Sequence, residues 1–161
     1  MRLIPLRGQG GSLRAYATVD DPDFDWLNRW RWHLNTNGYA VRHQYLGGGR
    51  SRTIRMHRLI AKAPIGHEVD HINRNRLDNR RANLRVLPDR FAQMQNLPSH
   101  RDSTSRFRGV SWDRRRQRWA AQASLAGQHV FLGYYLLEDQ AAAAAAAWRA
   151  QHMPYAVPEE H

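Results

Sequence analysis

The chain has 161 residues, enough for one domain or two small ones with modest cores. Its 25 lysines and arginines against 14 acidic residues leave a formal charge of +11, which points to a polyanionic partner, nucleic acid first and an anionic membrane surface second. Cysteine is absent, which excludes disulfides and cysteine-ligated structural zinc and fits a reducing compartment.

Lys62 is the only lysine, and arginine forks suit phosphates and guanine edges, so the bias favours nucleic acid. The start, MRLIPLRGQGGS, lacks the apolar core of a signal peptide, and the longest apolar run, AAAAAAAW, is too short to span a bilayer. A soluble intracellular protein without a membrane partner is expected.

Residues 1–50 read as a β-rich segment, with strands in LRAYATV and GYAVRHQYL. Between them Asp20 or Asp21 caps a short helix with Pro22 at its first position, which puts Phe24, Leu27, Trp30 and Trp26 on one face. LGGGRSR is a hairpin turn or hinge. In residues 51–97, TIRMHRLIAKAP holds a short amphipathic helix that ends before Pro64. EVDHI and LRVL are strand-like, and the Asn/Arg-rich stretch between them is too polar for a sheet interior. Pro88 opens a helix over DRFAQMQ, with Asp89 near the positive end of its dipole. The order is a ββα unit.

Residues 98–106 read as a linker, followed by a second domain over 107–161. FRGVSW, QRWAAQASLA and HVFLGYYLL are three strands, and EDQAAAAAAAWRAQHM is a helix whose small side chains permit close packing on a sheet. In the middle strand Trp119, Ala121, Ala123 and Leu125 face that helix, while Arg118, Ala120, Gln122 and Ser124 face outward. Trp112 shares the alternation of Val110 and belongs to the core. Arg108, Arg114, Arg115, Arg116 and Arg118 cluster along the first strand and turn. The fold class is α+β throughout.

The stretch VDHINRNRLDNRRANLRVL carries the chemistry. Phosphodiester hydrolysis needs an activated water and relief of charge on the phosphorus and on the leaving oxygen. A neutral imidazole can take the water's proton near pH 7, and a divalent cation held by oxygen ligands can do the rest. Asp70 and His71 suit these roles because adjacent strand residues point to opposite sides. Arginines nearby can position flanking phosphates.

DHIxxNxLDNRxxNLR resembles the HNH endonuclease motif, and MHRLIAKAP resembles the segment that leads into it. SRFRGVSW, RWAAQ, FLGYY and the Ala-rich helix resemble the APETALA2 DNA-binding domain of plant ethylene-response factors. The order of the two resembles phage and mobile-element homing endonucleases, and IPL…VDDPDFDWL…WRW…YAVR resembles the segment that precedes HNH in them. The resemblance implies a ββα-metal nuclease core, then a three-stranded antiparallel sheet packed on one helix. It implies Mg²⁺ or Mn²⁺ as cofactor, double-stranded DNA as partner, and a bacterial host cytoplasm, near the nucleoid. A monomer would nick, and a homodimer could cut both strands.

Residue by residue, His71 matches the general base, Asp70 the metal-binding acid, and Asn83 the asparagine that braces the loop. The third motif position falls on Ala92, which cannot bind metal; alignment backward from QMQN puts Gln93 there instead, with Asn96 one turn on as the alternative. His57 either supports His71, contacts a phosphate or is structural, and His67 has no role. Expected DNA contacts are Arg58, Arg74, Arg76 and Arg80 near the nuclease motif. In the C-terminal domain they are Arg108, Gly109, Ser111, Arg114, Arg115, Arg116, Arg118, Gln122, Ser124, His129 and Phe131. Ser111, Asp113 and His129 replace arginines of the plant domains, so no sequence preference transfers. The competing reading is a non-catalytic DNA-binding protein or regulator on a degenerate HNH scaffold, which the altered third position supports.

Overall fold

A computed structural model describes residues 1–97 and 103–157 as an α+β protein in two compact units, Met1–Asp89 and Arg90–His161. The expected linker therefore lies partly outside the described residues. No helix among them is long and apolar enough to cross a membrane.

The first unit opens with an antiparallel pair, β1 (Arg2–Arg7) and β2 (Leu13–Val19). Alternation along these strands turns Ile4, Leu6, Ala17 and Val19 inward, while Leu3, Leu13 and Tyr16 stay exposed. Helix α1 (Asp21–Leu27) follows, with Asp20 at its N-cap and Pro22 in its first turn. A three-stranded antiparallel sheet is built from β3 (His33–Leu34), β4 (Ala40–Gly47) and β5 (Arg50–Arg55), in that order. Helix α2 (Met56–Ile60) leads to the hairpin of β6 (Glu68–His71) and β7 (Leu84–Leu87). Ile4, Leu6, Leu27, Trp32, Met56 and Ile60 join into one apolar core, and the Trp32 indole N–H donates to the Leu27 carbonyl at 2.9 Å.

The face of α1 differs from the expected one. Asp23 and Leu27 are its buried residues, Phe24 and Trp26 are only partly covered, and Trp30 lies beyond the helix, exposed. An ion pair draws Asp23 inward, and that tertiary contact overrides the hydrophobic period. The apolar spacing alone could not contain it.

In the second unit a short helix, α3 (Arg90–Met94), precedes β8 (Val110–Asp113), β9 (Arg118–Leu125) and β10 (Gln128–Tyr135). These strands form an antiparallel sheet with β9 in the middle. Helix α4 (Glu138–His152) packs on it with Ala141 and Ala145 fully buried, one turn apart, against Phe107, Val110 and Ala121. Methyl-sized side chains let the helix backbone come close to the strands. Trp112 is half-buried, edge-on to Trp119 at 5.1 Å. Ser105 and Phe107, near the end of the expected linker, are buried in this unit, with the Ser105 hydroxyl donating to Glu138 at 2.7 Å.

Directly opposite residues of antiparallel strands share a face. The pairs Ser111–Ala120, Asp113–Arg118, Phe131–Gln122 and His129–Ser124 therefore line the outward face of this sheet. Arg118, Gln122, Ser124, His129 and Phe131 are exposed there, and Ser111 is half-exposed.

Gly109 sits at φ +79, and a β-carbon on it would lie 2.2 Å from the Gln122 carbonyl oxygen. That oxygen is backbone and cannot move aside. Gly109→Ala is expected to cost about 3 kcal/mol by combining left-handed strain with overpacking, read as a lower denaturant midpoint. A midpoint unchanged within error would contradict this packing.

Candidate active site

The β6–β7 register sets Asp70 opposite Arg85 and His71 opposite Leu84. Adjacent strand residues point to opposite faces, so the carboxylate and the imidazole separate by geometry alone. Asp70 Oδ2 accepts from Arg85 Nε at 3.0 Å and from a terminal guanidinium nitrogen at 2.7 Å. Both Asp70 and His71 are buried. The His71 ring meets His57 edge-on at 5.0 Å and Tyr39 at 6.0 Å. The Arg76 guanidinium lies over the other aromatic partner, 5.0 Å from the Tyr39 centroid, and donates to the Asn37 carbonyl at 2.7 Å.

Between the strands, nine of the twelve residues 72–83 are polar, and few have ladder partners. Their backbone groups are satisfied by tight turns, by the backbone of β2 and by side chains. Asn83 Oδ1 accepts from the Asn73 amide at 2.9 Å while its Nδ2 donates to the Asp78 carbonyl at 2.8 Å, so one carboxamide ties both ends of the loop. Asn73 Oδ1 takes the Asn75 amide and Asn75 Oδ1 the Leu77 amide, two consecutive Asx turns. Buried Asp78 receives Asn73 Nδ2 at 2.9 Å and two guanidinium bonds from Arg80 at 2.7 and 2.6 Å.

The N-terminal half of the unit holds this loop from outside. Thr18 of β2 accepts from the Asn79 amide and donates to the Leu77 carbonyl, both at 2.8 Å. Arg81 makes a two-pronged pair with Asp23 at 2.7 Å on each side, and its backbone amide donates to Asp20. Asp20 thus turns its side chain to the loop rather than to its own helix. Burial alone would raise the Asp23 pKa, but hydrogen bonds from Arg81 and Trp26 hold it below the usual carboxylate value. Arg80 does the same for Asp78.

Burial lowers the His71 pKa; the Asn79 carboxamide and the Asp70 and Asp78 carboxylates oppose that shift without cancelling it. The imidazole is therefore neutral near pH 7 and able to accept a proton. Burial also pushes His57 down, to about 3, reinforced by His71, Arg55 and Arg58. A neutral His57 can pack against His71 without electrostatic repulsion, and its Nδ1 has no hydrogen-bond partner among the described residues.

The consequence for stability has a definite sign. Above its ordinary value of 6.5, His57 is neutral folded and unfolded, and its contribution is fully present. As pH falls below that, the unfolded chain takes a proton that the buried ring refuses, so stability declines by up to about 1.4 kcal/mol per pH unit. His57→Phe is expected to flatten the loss measured by urea unfolding between about pH 6 and about pH 4, above the range where carboxylates dominate. An unchanged slope would show that the ring is not kept neutral.

Several expected DNA contacts have inward occupations. Arg58 donates to the His67 and Pro64 carbonyls at 2.6 and 3.2 Å, Arg80 is held by Asp78, and Arg108 donates to the carbonyls of Gln95, Leu97 and Met94. These guanidinium groups stabilise turns and a helix end, which the sequence reading as phosphate contacts did not include. Arg74 adopts a left-handed backbone at φ +62. Arg114, Arg115, Arg116 and Arg118 are exposed, with Arg116 over the Tyr134 ring at 4.9 Å.

The first unit brings together Asp70, His71 and Asn83; Gln93 and buried Asn96 belong to the second. Among the described residues no three of His, Cys, Asp or Glu gather as a metal cluster. Sequence reasoning missed Tyr39, Asp23, Asp78, Arg81 and Arg85. Aspartates in an arginine-rich chain were the available signal, because buried acids need such partners.

Comparison with known proteins gives a consistent picture. The model of the HNH endonuclease family matches residues 55–94. Protein 3.8 of Escherichia phage T7 is 35% identical over 77 residues, covering 47% of this chain and 62% of that protein. An uncharacterized HNH endonuclease of Acanthamoeba polyphaga mimivirus is 29% identical over 111 residues, covering 65% of this chain and 52% of that protein. The chain thus spans less than two thirds of the length of either relative. No solved structure matches. What the chain shares with known proteins is an HNH endonuclease segment, carrying Asp70, His71 and Asn83 within residues 55–94.

Proposed function

We propose that this protein is a divalent-metal-dependent DNA endonuclease of the HNH type, of the homing class carried by phages and mobile elements and acting in a bacterial host's cytoplasm. The observation that carries the proposal is a buried, neutral His71 beside Asp70 on a hairpin whose loop Asn83 closes, inside the segment similar to HNH endonucleases.

His71 takes the proton of the attacking water. Asn83 keeps the loop closed and so holds the strand that presents His71. Asp70, with Gln93 or else Asn96 by resemblance alone, supplies oxygen donors. One carboxylate and one amide oxygen suit Mg²⁺ or Mn²⁺, which complete their shells with water and phosphate. Such a cation, when bound, neutralises charge on the phosphate and on the leaving oxygen. The exposed face of the C-terminal sheet, with its arginine-rich β8–β9 turn, binds the target in the manner of an APETALA2-type domain. One site per chain makes a monomer nick; a homodimer would cut both strands.

The Arg85 bonds to Asp70 and the alanine at position 92 favour a second reading, a DNA-binding protein or regulator without catalysis. Nicking of supercoiled plasmid, or cleavage of a duplex shown to bind, with and without Mg²⁺ or Mn²⁺, separates the two. Metal-dependent cleavage is expected to fall by about 100-fold or more in His71→Ala with binding retained, the size of a general-base contribution. Gln93→Ala is expected to raise the metal concentration required; an unchanged requirement moves the ligand to Asn96. No cleavage of a specifically bound duplex would leave the binding protein standing.

A further inference from the structure

The β4–β5 hairpin is not absorbed by the nuclease site. Its base belongs to the core through Ala40 and Val41, but from His43 to Thr53 no residue is buried on either face. Five residues from His43 to Gly47 extend about 17 Å. Gly47, Gly48 and Gly49 all have positive φ, and a β-carbon on any of them would meet nothing within 4 Å. Three successive left-handed residues give a turn that only glycine adopts without strain, and here it leaves a thin tip without side chains.

The charge around the hairpin is one-sided. From Trp26 to His67 the chain has no aspartate or glutamate, while seven arginines and Lys62 fall within it. Arg50 and Arg52 flank the tip, both exposed, and Arg52 is steadied by Gln44 Oε1 at 2.9 Å. Tyr45, 71% exposed, and Leu46, 49% exposed, add uncovered apolar surface beside these charges. A free two-stranded ribbon that exposes a ring and two guanidinium groups gains nothing for the core, and it has no carboxylate of its own for them to pair with.

We infer that the β4–β5 ribbon is a second DNA-binding element, separate from the C-terminal sheet, that enters the major groove of B-form duplex and sets Arg50 and Arg52 on the flanking phosphates. The major groove is about 12 Å wide and about 8.5 Å deep, and it admits a two-stranded ribbon. The deep, narrow major groove of A-form RNA does not. The inference rests on the same DNA reading as the nuclease proposal, but binding without metal tests it, so the two can fail separately.

The experiment measures the affinity of the full chain for a DNA duplex and for an RNA duplex of the same sequence, without divalent metal, over a range of salt. Arg50→Gln/Arg52→Gln is compared with wild type and with Arg14→Gln, an exposed arginine on β2. Loss of two phosphate contacts is expected to reduce the slope of log K against log salt by about 1.8 and to weaken DNA binding more than tenfold at low salt. RNA binding should change little. A second pair keeps the backbone strain equal: Gly48→Asp is expected to weaken DNA binding severalfold relative to Gly48→Asn. An unchanged salt slope, a loss per charge no larger than that of Arg14→Gln, an equal loss on RNA, or equal binding by the two Gly48 variants would each overturn the inference.

Discussion

Twelve residues between two short strands, nine of them polar, need partners for their backbone amides and carbonyls. β6 and β7 are four residues each, and their ladder ends at His71 and Leu84. Beyond it the backbone groups that the ladder no longer pairs must find partners in turns, in side chains or in other segments. Asn73, Asn75, Asp78 and Asn83 do so from within; from the N-terminal segment Asp20 accepts the Arg81 amide, the Thr18 backbone pairs with Leu77 and Asn79, and Asp23 holds the Arg81 guanidinium. The fixed position of His71 depends on this arrangement, since its carbonyl and the next residues open the loop.

The same arrangement explains how a chain of charge +11 uses its few carboxylates. Asp23, Asp78 and Asp70 are buried, and each is met by two nitrogens of one guanidinium: Arg81, Arg80 and Arg85. Burying a carboxylate is unfavourable unless it is paired and hydrogen-bonded, and arginine's fork meets that need. Such pairs fix geometry more than they add stability. Other acids remain outside, Asp21 and Asp25 among them, while residues 26–67 carry no carboxylate against seven arginines and Lys62.

Much of this was legible in the sequence. The turn residues of LGGGRSR, the proline after the Met56 helix, the alternation of β9 and the alanine helix all follow from local rules, and the structure has them. That the Asp70 and His71 side chains part to opposite faces was legible, because strand geometry alone separates them. What was hidden is long-range. The pairing of Arg81 with Asp23 spans 58 residues and adds Asp23 to the buried side of α1. The place of His57 against Tyr39 and His71 joins three segments that no periodicity connects. Arg58 and Arg108 donate to carbonyls and Arg80 to the Asp78 carboxylate, partners that composition cannot reveal.

The most direct test is amide hydrogen exchange in wild type and Asp23→Asn, a substitution that keeps shape and removes the charge holding Arg81. Faster exchange is expected at Asn73, Asn79 and Arg81, while amides in the β9 ladder stay protected. Unchanged protection at those three positions would mean that the loop holds itself, and that the N-terminal segment does not support the strand carrying His71.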